Sequence, residues 1–202
     1  AYAGDTPRDE QAAGWLAAQP VDGIVHNVQY DFDDYGLTID LGLALAAIGT
    51  HPPTVDQMRD ALAPRVDSYT TGVDWGSSDV YAGATAKLLV FAQTSGADPS
   101  SFGGVDLVAR LKSRLVSTGP SKGRIRDKFD PKFGADYSNT VGQAFAVQGL
   151  AAAGSGQAGP ALSFLLKQQC ASGYFRLAFT KFKNAADQTC DGGDKATVSA
   201  PD

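Results

Sequence analysis

The chain alternates between two kinds of helical segment. One kind is apolar on nearly every side and rich in alanine and leucine, and it is predicted at residues 37–48, 79–94 and 138–153. The other kind carries charged residues or an aromatic–glutamine pair, and it is predicted at residues 7–19, 52–69, 104–115 and 160–169. Thr6 and Pro7 mark the start of the first helix, since threonine is a good N-cap and proline fits the first helical position. The pattern predicts an all-α protein of about seven helices.

Each apolar segment is followed by a glycine that can end a helix, at Gly49, Gly96 and Gly154. These glycines are 47 and 58 residues apart. A period of roughly 40 to 50 residues, with two helices in each unit, is typical of helical repeat proteins. Buried helices that alternate with amphipathic ones predict two layers, with the apolar helices inside.

Seven helices make three pairs and one helix without a partner. Repeat arrays need terminal units that cover their apolar edges, and the chain ends in KATVSAPD without one. We therefore expect a single domain that is a fragment of a longer protein. Its edge should be exposed, or it should be covered by another copy through self-association.

Composition narrows the classes of partner. The net charge of −5 argues against nucleic acid and against anionic membranes. No apolar run approaches the roughly 18 residues of a membrane span. The chain begins AYAGDTP, which is the kind of start that remains after signal cleavage, so we expect a secreted or cell-surface protein.

The only two cysteines are Cys170 and Cys190. An even count in a chain expected outside the cell favours a disulfide between them. The alternative is a pair of free thiols. A metal site is disfavoured, because no histidine or further cysteine lies nearby in the sequence.

An aromatic residue and a glutamine occur four residues apart in two places, Trp15 with Gln19 and Phe164 with Gln168. The second pair lies in the segment ALSFLLKQQCASGYF, and the first is a weaker copy. These motifs resemble the glutamine–aromatic repeat of terpene cyclases and protein prenyltransferases, and DLGLALAA from Asp40 resembles their inner helix. Nearly the whole chain is similar to exported bacterial prenyltransferase/squalene-oxidase-repeat proteins. The resemblance implies an incomplete α/α toroid with inner and outer layers.

The string Asp31-Phe32-Asp33-Asp34 matches the D-x-D-D motif that supplies the acid of class II terpene cyclases. Such an acid requires a dry cavity. In those enzymes the last aspartate leads directly into the inner helix, whereas here Asp40 occupies that register. A solvated acidic loop and a calcium-binding loop are the alternatives. The zinc chemistry of protein prenyltransferases is disfavoured, because both cysteines are expected to be paired.

The starts of the apolar helices share aromatic and acidic residues, which a toroid would gather at one mouth. They form a predicted ligand platform of Tyr35, Asp40, Trp75, Asp79, Tyr81 and Tyr137. The alternative is ordinary packing over the helix ends. A pair of catalytic carboxylates among Asp40, Asp79 and Asp136, as in glycosidases, is a further alternative. The simpler interpretation is that these acids interact favourably with the positive ends of the helix dipoles. The basic cluster of Lys122, Arg124, Arg126 and Lys128 is either a solvated loop or a site for carboxylate or phosphate.

These observations predict an exported, non-catalytic binding protein that needs no cofactor and binds a small molecule or another protein. Exported cobalamin carriers also use an α/α toroid, so a corrinoid-like ligand is one concrete expectation. A terpene-cyclase-like enzyme and a structural or assembly module are the alternatives.

Overall fold

The computed structural model describes residues 7–132 and 134–191, so the predicted N-cap Thr6 and the chain after Asp191 lie outside the described residues. Eight α-helices are found there: α1 (Pro7–Ala17), α2 (Tyr35–Ile48), α3 (Pro52–Leu62), α4 (Val66–Thr70), α5 (Ala82–Thr94), α6 (Leu107–Lys112), α7 (Thr140–Ala152) and α8 (Ala158–Leu166). A small antiparallel hairpin joins β1 (His26–Asn27) to β2 (Phe32–Asp33). The predicted all-α class is confirmed.

The three predicted apolar helices lie at the centre. Helix α5 packs against both α2 and α7. The outer layer is formed by α1 and α3, which pack on α2, by α6, which packs on α5, and by α8, which packs on α7. The core side chains come from both layers and include Ile39, Leu45, Leu89, Leu111 and Phe164, all of which are fully buried. Closure of these layers into a toroid remains a prediction.

Small residues bring the central helices unusually close together. A Cβ atom added to Gly142 of α7 would lie 2.9 Å from the Cα atom of Gly83, which lies on α5. A Cβ atom added to Gly42 of α2 would lie 2.5 Å from the ring of Phe91. Contacts below 3 Å are shorter than van der Waals packing allows, so larger residues here would force the helices apart.

Several helix boundaries differ from the predicted ones. The predicted helix at 52–69 is interrupted by a 3₁₀ turn at Ala63–Arg65, because Pro64 has no N–H for an α-helical hydrogen bond. Helix α5 begins after Tyr81 rather than at Asp79, and the side chain that caps it is remote in sequence. The Ala82 N–H donates to a carboxylate oxygen of Asp127 at 2.7 Å. Glycines end the central helices as predicted, since Gly49, Gly96 and Gly154 all have positive φ angles.

A turn of the same design follows α1, α6 and α8, and it carries a positive-φ glycine at Gly23, Gly123 and Gly173. In the first two copies the glycine packs directly on the next helix of the outer layer. A Cβ atom on Gly23 would lie 2.5 Å from the Gln57 carbonyl oxygen of α3, and one on Gly123 would lie 2.0 Å from the Pro160 carbonyl oxygen of α8. At Gly173 no described atom lies within 4 Å of that position. The third turn is thus uncovered among the described residues.

The turns are also tied to the central helices by equivalent bonds. The Val25 N–H donates to the Thr38 hydroxyl, and the Ile125 N–H donates to the Gln143 side chain, each at 2.9 Å. Thr38 and Gln143 both lie four residues after the side chain that caps their helix, Asp34 or Asn139. The turns before α2 and α7 therefore share one bonding arrangement, while the repeat organisation of the whole chain stays a prediction.

The segment after α8 is closed by a disulfide between Cys170 and Cys190, whose Cα atoms lie 5.0 Å apart. Inside this segment the Arg176 guanidinium is buried and donates to the Gln168 side chain at 2.9 Å and to the Gln188 carbonyl at 2.9 Å. Gln168 itself donates to the Phe164 carbonyl four residues earlier at 3.0 Å, as Gln19 does to Trp15 at 2.8 Å. Both motif glutamines therefore bond back to their own helix, and Gln168 also donates to the Gln188 carbonyl at 3.2 Å. None of the described helices has the length and hydropathy required to cross a membrane.

Candidate ligand-binding site

The amino-terminal ends of α2, α5 and α7 lie side by side and define a mouth. Val80, just before α5, exchanges two backbone hydrogen bonds of 2.9 Å with Lys128. Asp127 links the start of α5 to the start of α7, because its carboxylate accepts from the Ala82 N–H at 2.7 Å and from the Tyr137 N–H at 3.0 Å. Backbone and carboxylate bonds thus fix the relative positions of the α5 and α7 ends.

The part of the mouth at α2 and α5 is aromatic and acidic, and we call it the acidic side. Two neighbouring grooves of about 510 and 550 Å³ share Trp75 in their walls. Four of the predicted platform residues line them: Tyr35, Trp75, Asp79 and Tyr81. The other acids in the walls are Asp33, Asp34, Asp74 and Asp130. Burial, together with the nearby charges of Asp40 and Asp34, raises the pKa of Tyr69, and its ring forms part of this wall.

Asp40 lies away from these grooves. Its carboxylate forms an ion pair of 2.6 Å with the Lys87 ammonium on α5, which also donates to the Gly36 carbonyl at 3.0 Å. Asp40 therefore links α2 to α5. This ion pair is a structural contact, and a ligand contact of Asp40 stays a prediction.

A groove at the start of α7 has a volume of about 830 Å³, which is larger than that of either groove of the acidic side. We call it the α7 groove. Its aromatic walls are Phe129, Tyr137, Phe179 and Phe182, and its charged walls are Arg124, Arg126, Lys181, Lys183 and Asp136. Tyr137, the remaining residue of the predicted platform that lies in the mouth, thus occupies a different groove from Tyr35 and Trp75.

Three cations of the α7 groove lie over aromatic rings. Arg124 lies 5.0 Å from the centroid of Phe179, Arg126 lies 5.9 Å from Phe129, and Lys181 lies 5.7 Å from Phe182. A cation over a ring face is attracted by the negative face of the ring's quadrupole. The rings therefore help to hold positive charge around this groove.

Arg124 is buried and connects two loops that line the α7 groove. Its guanidinium donates to the Thr180 carbonyl at 2.9 Å and to the Asp136 carboxylate at 3.1 Å. Burial lowers the pKa of Arg124, and the negative charge of Asp136 opposes that shift. Asp136 also accepts from the Ser138 hydroxyl at 2.5 Å, so its carboxylate is occupied by structural contacts.

The basic cluster predicted from the sequence is divided by the fold. Arg124 and Arg126 line the α7 groove, whereas Lys122 is exposed outside it. Lys128 lines an adjoining groove of about 430 Å³ that shares Arg126 and Lys183 with the first. Residues 177–184, which form one wall of the α7 groove, were not among the predicted site residues. The aromatic and basic residues of FTKFK, at 179–183, were the sequence feature that indicates a binding surface there.

The D-x-D-D string lies on the exposed hairpin. The Asp31 side chain is 97% exposed, and the His26 ring lies 3.3 Å from Asp31 and 3.2 Å from Asp33. Asp34 caps α2 by accepting from the Leu37 N–H at 2.8 Å. Asp31 and Asp33 are exposed and Asp34 is partly exposed, so these carboxylates lack the sealed apolar cavity that alkene protonation requires.

The acids considered as a glycosidase-like pair are engaged elsewhere. Asp40 pairs with Lys87, Asp136 pairs with Arg124, and Asp79 accepts from the Asp130 N–H at 3.3 Å. Within the described ranges, the one cluster of three potential metal ligands comprises Cys170, Cys190 and Asp191. Its two sulfur atoms are bonded to each other, so they are not available as thiolate ligands. Calcium binding by the acidic hairpin remains a prediction.

Comparison of the chain with models of known protein families, with curated proteins and with solved structures gave no match. The resemblance to prenyltransferase/squalene-oxidase-repeat proteins therefore stays a prediction.

Proposed function

We propose that this protein is an exported, non-catalytic binding protein that holds a small molecule in the α7 groove. The observation that carries the proposal is the size and lining of that groove. Its volume of about 830 Å³ exceeds those of its neighbours on the acidic side, and four aromatic residues line it within the described part of the chain. Apolar walls with a few polar groups, in a cavity of roughly 300 to 1,000 Å³, are typical of small-molecule sites.

The hydrogen bonding around the groove favours binding over catalysis. Asp136 accepts from Arg124, Ser138 and the Asp127 N–H, while Asp127 accepts from two backbone N–H groups. A general acid or base needs a position from which it can exchange a proton with a substrate. These carboxylates instead connect the loops and helix ends around the groove.

The disulfide supports export, because disulfides persist mainly in oxidising compartments. The resemblance to α/α toroids supports a corrinoid as one candidate ligand. Cobalamin can be tested directly, because its visible absorption reports binding without a label.

The proposal is tested by a thermal-shift screen of small molecules that includes cobalamin, followed by mass spectrometry of each ligand after incubation. We expect a ligand that raises the melting temperature and is recovered unchanged. Phe182→Ala should weaken its binding, because this ring is 65% exposed in the groove wall. Val28→Ala, at an 88% exposed site in the hairpin, is the matched control. Turnover of the ligand, or equal effects of the two variants, would contradict the proposal.

Assembly is a second candidate function, and the uncovered third turn favours it. Gly23 and Gly123 each lie against an outer-layer helix, whereas among the described residues no atom lies within 4 Å of a Cβ position built on Gly173. Leu162 and Leu166, on the helix that leads into this turn, are 43% and 54% exposed. In the preceding turn, α8 lies against Gly123. A second copy of the chain would cover the Gly173 turn in the same way with its α1.

Sedimentation equilibrium tests the assembly candidate. We expect a mass above that of the monomer, and we expect Leu166→Glu to return the protein to monomer because a charge at this edge resists burial. Val28→Glu adds the same charge on the hairpin and should leave the mass unchanged. A monomer at all accessible concentrations would exclude this role for the edge.

A further inference from the structure

We propose that the α7 groove selects ligands that combine an aromatic or apolar ring with an anionic group, a carboxylate or a phosphate. This inference rests on the proposed function, because it names the ligand class of the same groove. Two independent properties of the groove support it: its charge and the exposure of its rings.

The charge of the groove is opposite to that of the protein. The whole chain has a net charge of −5, yet the described residues that line this groove include four cations and a single carboxylate. That carboxylate, Asp136, is paired with Arg124 at 3.1 Å. The adjoining groove adds Arg114 and Lys128, and its one carboxylate among the described residues is the buried Asp127. A concave surface of one sign, with low-dielectric walls, concentrates the opposite charge.

Two of the cations are placed to contact a ligand. The Arg126 side chain is 43% exposed, and its Nε atom lies 3.9 Å from Asp136, so that pair is loose and leaves guanidinium N–H groups for an anion. Lys181 is exposed, and its ammonium lies over the ring of Phe182. Arginine can hold carboxylate or phosphate through two parallel hydrogen bonds, and lysine adds a point charge beside it.

The rings supply the second half of the predicted ligand. Tyr137 and Phe182 line the same groove and are 75% and 65% exposed. Large exposed rings that share a concave wall are a stacking surface, since aromatic contacts gain energy beyond the area they bury. A ligand ring placed there lies beside the cations of Arg126 and Lys181.

The neighbouring acidic side limits the length of the ligand. Asp130 and Asp79 lie in the wall of the adjacent groove, and Asp33, Asp34 and Asp74 lie beyond them. A long polyanion that crossed the mouth would meet these carboxylates. A compact ligand with one anionic group avoids them.

Isothermal titration calorimetry with matched naphthalene probes tests the inference. The probes are 2-naphthoate, 2-naphthyl phosphate, 2-naphthalenemethanol and 2-naphthylmethylammonium, which share the ring and differ in charge. We expect the two anions to bind at least about tenfold more tightly than the alcohol, and the ammonium to bind most weakly. The difference between anion and alcohol should shrink as salt is added. Comparison of the two anions separates carboxylate from phosphate preference.

Charge-removing variants locate the effect. The double variant Arg126→Gln/Lys181→Gln should bring the affinity for the preferred anion down to that for the alcohol, while binding of the alcohol changes less than about twofold. Lys122→Gln removes a positive charge from the same loop outside the groove, and it should leave all four affinities unchanged. If the four probes bind equally, or if Lys122→Gln acts like the double variant, the inference is wrong while a binding function stands. If no probe binds and no other ring-containing ligand is found, the proposed function fails with it.

Discussion

The acidic side and the α7 groove are built on the same backbone plan but present opposite chemistry. At both places a turn after an outer-layer helix leads to a central helix, and the turn is tied to that helix by an equivalent side-chain bond. At α2 and α5 the exposed surface combines Trp75 with aspartates, whereas at α7 it combines Tyr137 and Phe182 with arginine and lysine. The shared arrangement of turn and helix therefore sets where the loops lie, and the loop residues set what each part of the mouth can bind.

The two regions also differ in what holds them. At α7 the ion pair between Arg124 and Asp136 is nearly buried, with side-chain exposures of 5% and 15%. Between α2 and α5 the ion pair of Lys87 and Asp40 has exposures of 17% and 54%. Buried pairs are costly to break by removing one partner, whereas exposed pairs contribute little.

The largest expected effect comes from Arg124→Met, which leaves the Asp136 carboxylate without its buried partner. We expect the free energy of unfolding to fall by about 3 to 5 kcal/mol. Lys87→Met, the matched change at the acidic side, should cost no more than about 1 kcal/mol. Urea denaturation of both variants measures the difference. Equal losses would show that the two regions are held with similar strength.

Loss of the disulfide should have the next largest effect. The double variant Cys170→Ser/Cys190→Ser releases a segment closed across 20 residues, and that segment forms one wall of the α7 groove. The chain-entropy model gives a loss of about 3 kcal/mol. Amide hydrogen exchange should speed up most within residues 170–190.

Reductant is the control for this change. It should destabilise the wild-type protein and leave the double variant unaffected. Faster exchange in α2 than in the 170–190 segment would contradict the assignment of the disulfide to the α7 groove.

The smallest effect concerns Asp127, which joins the α5 and α7 ends. Burial raises the pKa of this carboxyl above its value in the unfolded chain, and hydrogen bonds from Ala82 and Tyr137 oppose the shift only in part. As pH rises, the unfolded state ionises first, so the wild-type protein should lose stability relative to Asp127→Asn from acidic toward neutral pH. Denaturation at several pH values gives the difference between the two proteins.

Asp98 supplies a control of the opposite sign. The Ser100 hydroxyl and N–H donate to this exposed carboxylate and lower its pKa. The wild-type protein should therefore gain stability relative to Asp98→Asn over the same rise in pH. If both differences change in the same direction, the environment assigned to Asp127 is wrong.

The central helices could be predicted from the sequence because their signals are local. Alanine and leucine repeat on all sides of 37–48, 79–94 and 138–153, and a glycine ends each segment. The disulfide was predictable because Cys170 and Cys190 are the only cysteines. Pro64 lies inside the predicted helix at 52–69 and has no N–H to donate, so the interruption there was also predictable from the sequence.

The site was harder to predict because it is assembled from distant residues. Asp127 caps a helix that begins 45 residues earlier, and Arg124 bonds to the Thr180 carbonyl 56 residues later. Such partners leave no periodic signal in the chain. Tyr35, Trp75, Asp79, Tyr81 and Tyr137 were correctly placed near helix starts, yet the sequence alone could not divide them between grooves of opposite charge.

A titration of isotope-labelled protein with 2-naphthoate, followed by the chemical shifts of backbone amides, tests the division of the mouth most directly. We expect saturable shifts in residues 124–139 and 177–184, with residues 33–36 and 74–81 unchanged. Shifts concentrated around Trp75 and Tyr35, with none at Tyr137 and Phe182, would contradict it.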